Sequence, residues 1–348
     1  MWYPSSEWPL WLSITGLAFA SVVILFSGVK LTSLADRLAD RTGLGEAATG
    51  AILLGASTSL PGIVTSITAA WHGHAELAVS NGIGGIAAQT TFLGIADITN
   101  REANLEHQAV SVPNMIYATL LIMLLGGVLL ASNSPDFTIW GVHPITPLLA
   151  VAYLFGLRLA RIGQKQPQWE PRQTEFTRPD VPDEEAAHRE SLTRMWVKFG
   201  MLALILGVSG WVVARTGENI TARTGLSQSV VGGLFTAIST STPELVTSVA
   251  AVRRGALTLA VGGVIGGNAF DVMFVVAADI AFREGSIYHA ISPREHFLTT
   301  LAIVMSAVLV MGLLSREKRG IANIGYESFL ILTLYAAGWI VLGFMGAL

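Results

Sequence analysis

Residues 42–98 of this chain return 182 positions later as residues 224–280, and both copies are strongly apolar. Of the 57 aligned positions, 24 are identical, with no gap. Thr58-Ser59-Leu60-Pro61 falls on Thr240-Ser241-Thr242-Pro243, Val64-Thr65-Ser66 on Val246-Thr247-Ser248, and Ile83-Gly84-Gly85 on Ile265-Gly266-Gly267. Two unrelated apolar segments share Leu, Ala and Val by composition. They do not share a Thr-Ser-x-Pro, a Val-Thr-Ser and a Gly-Gly in register, so the chain is a duplication. Internal repeats whose apolar segments are interrupted by Pro and Gly point to a transporter, with its site where the repeats meet.

The rest of the chain fits a membrane setting. Charged residues are 13% of the chain, against about 25% in soluble domains. Several apolar runs are long enough to cross a bilayer. Spans are predicted at 9–33, 45–71, 75–98, 109–131, 137–162, 192–215, 226–252, 257–282, 293–315 and 323–347. The first run has no basic residue before it and reads as a retained span, not a cleaved signal. Ten spans give five per half, so the second copy starts on the opposite side and lies inverted. With the N-terminus outside, 17 of the 21 Lys and Arg fall on the inner side, as the positive-inside rule requires. The expected fold is an all-α membrane protein of ten transmembrane helices, two inverted five-helix repeats with helices broken at the midplane. The first half is 1–162 (repeat 42–98) and the second is 192–348 (repeat 224–280). Between them, the Pro-rich, charged segment 163–191 reads as a cytoplasmic linker. Both termini are expected outside the cell membrane.

Within the repeats, Glu244 and Asp271 are the residues that packing does not explain. A carboxylate in hydrocarbon costs roughly 2.5–3.5 kcal/mol on insertion scales and is rare without a use. The turn signal Arg253-Arg254-Gly255 lies between them, so a helical hairpin brings both to a similar depth. Pro61 and Pro243 each remove a backbone donor, which frees the carbonyls of Ser57 and Ser239. Thr58, Ser59, Thr240 and Ser241 add hydroxyl oxygens, and hard cations such as Na+ and Ca2+ take oxygen ligands. Next to a proline, such hydroxyls also serve to re-satisfy freed backbone groups. Gly84-Gly85 and the glycines at 262–267 read as helix packing. Asp97 and Asp279, matched across the repeat, read as structural groups near span ends, where solvent or a basic neighbour can reach. Glu46, Glu76, His72 and His74 read as solvated. There is no Cys, no His-Glu-x-x-His and no phosphate-binding Gly-rich loop. Thiolate metal chemistry, a zinc protease and ATP-driven pumping therefore have no support.

On these motifs the sequence resembles the sodium/calcium exchanger family of cation/calcium antiporters. Each repeat of that family carries a Gly-Thr-Ser-Leu-Pro-Glu type motif and a Gly-Ser-Asn type motif. The resemblance implies exchange of Ca2+ for Na+ at a midplane site, with the first and sixth spans sliding past the core. It implies Glu244 and Asp271 as metal ligands, Thr240, Ser241, Thr58 and Ser59 as hydroxyl ligands, and the carbonyls of Ala237 and Gly55 as backbone ligands. The first repeat departs from the pattern. Gly62 stands where the family has Glu, and Gln89 where it has Asn. Two carboxylates balance one divalent or two monovalent cations but not three Na+, so stoichiometry or ion choice is expected to differ. Glu244, without an acidic neighbour from the first repeat, is placed to take up a proton when no metal is bound.

The leading expectation is a secondary-active Ca2+ antiporter working against Na+. The alternatives are exchange of Mg2+ or a monovalent cation against Na+ or H+, and a non-transporting, cation-binding membrane homologue. No enzymatic constellation and no cofactor is expected. The expected partners are inorganic cations and the lipid bilayer, with no nucleic acid.

Overall fold

Helix ends fall where the sequence supplies caps and breakers. The Ser111, Ser191 and Ser227 hydroxyls accept from backbone amides of the turns they open. Oε2 of Glu295 accepts from both the amide and the hydroxyl of Ser292, closing the turn that Pro293 opens. Gly225, at φ 72°, closes a helix in the left-handed conformation. The structure, a computed structural model, describes residues 8–42, 57–99, 109–167, 191–253, 257–316 and 325–345.

The helices in chain order are α1 (Leu10–Thr42), α2 (Leu60–Trp71), α3 (Ala75–Thr99), α4 (Val112–Ser132), α5 (Ile145–Lys165) and α6 (Leu192–Thr224). Then comes α7 (228–240), which is α-helical at Gln228–Val230, π-helical at Val231–Thr236 and α-helical again at Ala237–Thr240. It is followed by α8 (Thr242–Arg253), α9 (Leu257–Ala281), α10 (Pro293–Ser315) and α11 (Tyr326–Phe344). Among the described residues, seven helices are long and apolar enough to cross a membrane.

Several expected boundaries shift. The first and sixth spans were expected to stop at 33 and 215, where charges begin. The helices run on to Thr42 and Thr224, each 33 residues, or about 50 Å against about 30 Å of hydrocarbon. A charge ends an apolar window but not a helix. The fifth span, expected from 137, starts at Ile145. The stretch before it turns at Trp140 and Gly141, both at positive φ, and is pinned by the Ile139–Val142 bridge.

Helices α3 and α9 pack on each other at the centre, and α2 and α8 pack against both. Helices α1 and α6 pair with one another, α1 leaning on α8 and α6 on α2. Glycine makes these two contacts possible. A Cβ at Gly28 would lie 2.4 Å from Cγ of Pro243, and one at Gly210 would lie 2.3 Å from the carbonyl oxygen of Pro61. Gly28 and Gly210 are themselves 182 positions apart, so the helix–proline contact is made twice. The outside is apolar, with Phe19, Phe26, Leu154, Leu204, Phe329 and Ile340 exposed. The inside of α3 is polar, with Ser80, Asn81, Gln89, Thr90 and Asp97 buried. A protein dissolved in lipid is expected to have this inversion.

Asp97 and Asp279 are expected where solvent or a basic neighbour can reach; solvent does not, for both are fully buried. Backbone amides answer their charge. Asp279 accepts from the amides of His143 (2.9 Å) and Ile287 (3.0 Å) and from the Thr146 hydroxyl (2.5 Å). Asp97 accepts from the Gly325 amide at 3.1 Å. Each ties a loop or helix start to the central pair. His72 is exposed, yet it is not simply solvated. Its Nδ1 lies 2.7 Å from Glu218, a buried carboxylate that Arg215 also meets at 2.6 Å.

Candidate functional site

The break between α7 and α8 is made by Pro243, which cannot donate to the turn before it. The chain answers that loss locally. The Thr242 hydroxyl donates to the Ser239 carbonyl at 3.0 Å. The Ala237 carbonyl accepts from the Ser241 amide (3.0 Å) and the Thr240 hydroxyl (3.1 Å). Ser241 is left at the break itself, with Glu244 in the first turn of α8. Pro61 plays the matching part at the start of α2, behind Ser59.

The breaks face each other across α3 and α9. The Ser59 hydroxyl donates to Oδ1 of Asp271 at 2.7 Å. Nε2 of Gln89 donates to Oδ2 of the same carboxylate at 2.7 Å and to the Ser241 hydroxyl at 3.2 Å. Gln89 and Asp271 are repeat mates, so the two copies touch through equivalent positions. Thr58, from the first break, donates to the Glu244 carboxylate in the second repeat. Glu244 and Asp271 are only 6% and 1% exposed. The structure therefore brings Glu244, Asp271, Thr58, Ser59, Gln89 and Ser241 into one buried network. Thr240 is buried one residue away, its hydroxyl turned back on Ala237. Gly55 lies outside the described residues.

Two features of this network would suit a bound cation. Among the described residues no Lys, Arg or His pairs with either carboxyl group, so a negative charge on either would have no counter-charge among them. Three buried acceptor oxygens on or beside the network, Glu244 Oε2, Gln89 Oε1 and Asn268 Oδ1, have no hydrogen-bond partner. Buried acceptors without donors are costly, and a bound cation would satisfy them. The candidate ligand atoms (carboxylate, hydroxyl and amide oxygens) are of the kind that Na+ and Ca2+ take.

The glycines divide in a way that sequence did not anticipate. Gly84 does serve packing, since a Cβ there would lie 2.3 Å from the Gly233 carbonyl oxygen of the π-helical turn. Gly85 borders the network instead: its Cβ would sit 3.4 Å from the Ser241 hydroxyl and 3.8 Å from Oδ2 of Asp271. Among the described residues, nothing lies within 4 Å of a Cβ position at Gly263 or Gly266.

Asn81 and Thr236 are supporting residues that sequence reasoning passed over. Nδ2 of Asn81 donates to the Gly62 carbonyl (3.1 Å) and the Ser66 hydroxyl (3.0 Å), and its Oδ1 accepts from Thr236 at 2.8 Å. This ties α2, α3 and the π-helical turn together. Neither Asn81 nor Thr236 is repeated in the other copy (Gly263, Leu54), so repeat matching did not reveal them. Phe274, which walls Gly62, is repeated as Phe92, and that identity was a usable signal.

Residues 12–157 and 194–343 match the family described as sodium/calcium exchanger protein. The protein CaxA of Alkalimonas amylolytica is 26% identical over 326 residues, 89% of this chain and 95% of CaxA. Two solved structures share the fold. A sodium-calcium exchanger, NCX_Mj, superposes with a TM-score of 0.61 at 18% identity, covering 95% of this chain and 99% of that one. The H+/Ca2+ exchanger CAX superposes with a TM-score of 0.66 at 12% identity, over 95% and 84% of the two chains.

Proposed function

Because this chain belongs to the sodium/calcium exchanger family, we propose that it is a secondary-active antiporter that moves Ca2+ against Na+ by alternating access. The observation that carries this reading is the buried pair Glu244 and Asp271, joined to both helix breaks by Thr58, Ser59, Gln89 and Ser241 and met by no basic side chain among the described residues. In this reading the two carboxylates hold the cation. The hydroxyls of Thr58, Ser59, Thr240 and Ser241 and the amide oxygen of Gln89 complete its oxygen shell. Two negative charges match one Ca2+ or two Na+, so exchange is electroneutral and does not follow a three-to-one ratio.

The proposed topology is ten crossings in two inverted halves, 1–162 and 192–348, with both termini outside and 163–191 inside the cell. Helices α1 and α6 form the moving pair. Their glycine contacts with Pro243 and Pro61 are smooth points of close approach next to the site, suited to sliding. Because the chain has no native Cys, single introduced cysteines labelled from one side test the orientation directly.

H+ as the counter-ion is a second reading, favoured by the unpartnered Oε2 of Glu244. Reconstituted protein separates the two. Ca2+ uptake driven by an outward Na+ gradient at equal pH, with no change in membrane potential, supports the first. Uptake driven by a pH gradient without Na+ supports the second. Cation binding with no flux under either gradient would overturn both.

A further inference from the structure

We infer that Phe274 is a specificity-determining residue of the site: its ring fills the volume that a side chain at position 62 would need, and so limits the site to two carboxylates. This rests on the cation-site reading above and deepens it. By the 182-residue repeat, Gly62 is the mate of Glu244. The second copy places a carboxylate at this position and the first places nothing.

The space is not vacant. A Cβ at Gly62 would lie 2.4 Å from Cε2 and 2.9 Å from Cζ of Phe274, where touching carbons need about 3.5–4.0 Å. The ring has little freedom to withdraw. Phe274 is 3% exposed. A Cβ at Gly82 would already lie 3.2 Å from its own Cβ. Its ring meets Phe270 edge-on at 6.4 Å, and Phe270 meets Tyr153 edge-on at 5.9 Å. On the other side, Asn81 holds the Gly62 carbonyl at 3.1 Å. Backbone and ring are both confined, so even a methyl group at 62 forces a shift.

Asp271 and Phe274 are three residues apart on α9, a spacing that puts them on one helix face. That face thus presents a carboxylate and, beside it, an apolar wall. Phe92 stands at the equivalent place in the first copy; what is particular to Phe274 is that its ring occupies the place of a Cβ at Gly62. The wall keeps anionic oxygen out of this quarter of the site. A cation there meets two formal negative charges and neutral oxygens, which favours one divalent or two monovalent ions over a heavier load.

The test uses full-length Gly62→Glu, Phe274→Ala, Gly62→Glu/Phe274→Ala and the uncharged control Gly62→Gln/Phe274→Ala, purified in detergent. Thermal unfolding and calorimetric titration with Ca2+ and Na+ are the readouts. The expected result is that Gly62→Glu melts well below wild type and that adding Phe274→Ala restores the melting point to that of Phe274→Ala alone. The double variant with Glu should bind Ca2+ at least about tenfold tighter than the Gln control. Gly62→Glu melting with wild type would overturn the inference, because side chain and ring would not then compete. Equal Ca2+ affinity in the two double variants, with binding intact, would overturn it as well. A wild-type protein that binds neither ion, with the Gly62–Phe274 interdependence preserved, would instead overturn the cation-site reading.

Discussion

The two copies of the repeat build one site from unequal parts. The second contributes both carboxylates, Glu244 and Asp271, and an orphaned amide oxygen on Asn268. At the same three positions the first contributes Gly62, Gln89 and Ile86. Its role is to hold: Ser59 and Gln89 grip Asp271, and Thr58 reaches Glu244. Duplication explains why the parts meet, since equivalent residues converge where the copies face each other. Divergence after duplication explains the division of labour. A scaffold with two related halves can concentrate charge in one and hydrogen-bond donors in the other, provided the donors come within reach.

The strongest way to break this contrast is to remove one site side chain at a time from each half. Glu244→Gln and Asp271→Asn should each lower Ca2+ uptake in proteoliposomes at least about 100-fold, the factor that roughly 3 kcal/mol of lost binding gives. Gln89→Ala should cost less, about tenfold in Ca2+ affinity by titration. It removes two donors to the second repeat but no formal charge. Equal losses from the two halves would show that both supply ligands of the same kind.

The helix–proline contacts offer a comparison in stability. Gly210→Ala and Gly28→Ala both overpack a tight crossing, which costs about 1–3 kcal/mol. Gly210→Ala should lower the melting temperature more. Its methyl meets the Pro61 backbone, whereas that of Gly28 meets the Pro243 ring. Thr65 also donates to the Gly210 carbonyl at 2.9 Å. Asp279→Asn should lower melting temperature, with a cost of about 1–3 kcal/mol, and leave ion affinity at the wild-type value. A shift in affinity would move Asp279 from scaffold to site. The smallest effect is expected from Ser59→Ala and Ser241→Ala. Each loses one hydrogen bond of about 0.5–1.5 kcal/mol, a two- to tenfold change in Ca2+ affinity, with Ser59 the larger because its partner is the carboxylate.

Much of this molecule could be read before any coordinates, and the reason is periodic. The 182-residue repeat detected over 42–98 recurs in helix boundaries, and in the first helix of each half it extends beyond that segment. Leu10–Thr42 answers Leu192–Thr224, Leu60–Trp71 answers Thr242–Arg253, and Ala75–Thr99 answers Leu257–Ala281. Glu244 and Asp271 were legible because a carboxylate in an apolar run conflicts with its surroundings. The breaks were legible because proline forces them. What escaped were residues whose role is set by a distant partner. Asn81 looks like an ordinary polar residue until α2 and the π-helical turn close on it. Glu218 looks like the end of an exposed helix until His72 and Arg215 reach it. Asp97 and Asp279 read as scaffold near span ends, but their burial was not legible, because sequence shows the acid and not the backbone amides that fold over it.

The sequence alone determined the duplication, the apolar helices, the proline breaks and the two acids, since each follows from local chemistry or from comparing the chain with itself. Only the tertiary structure decided which oxygens converge, that Gln89 meets its own repeat mate, and that the space beside Gly62 belongs to an aromatic ring. Those facts depend on distances between residues some 150 to 210 positions apart, and such distances are set by how the helices pack.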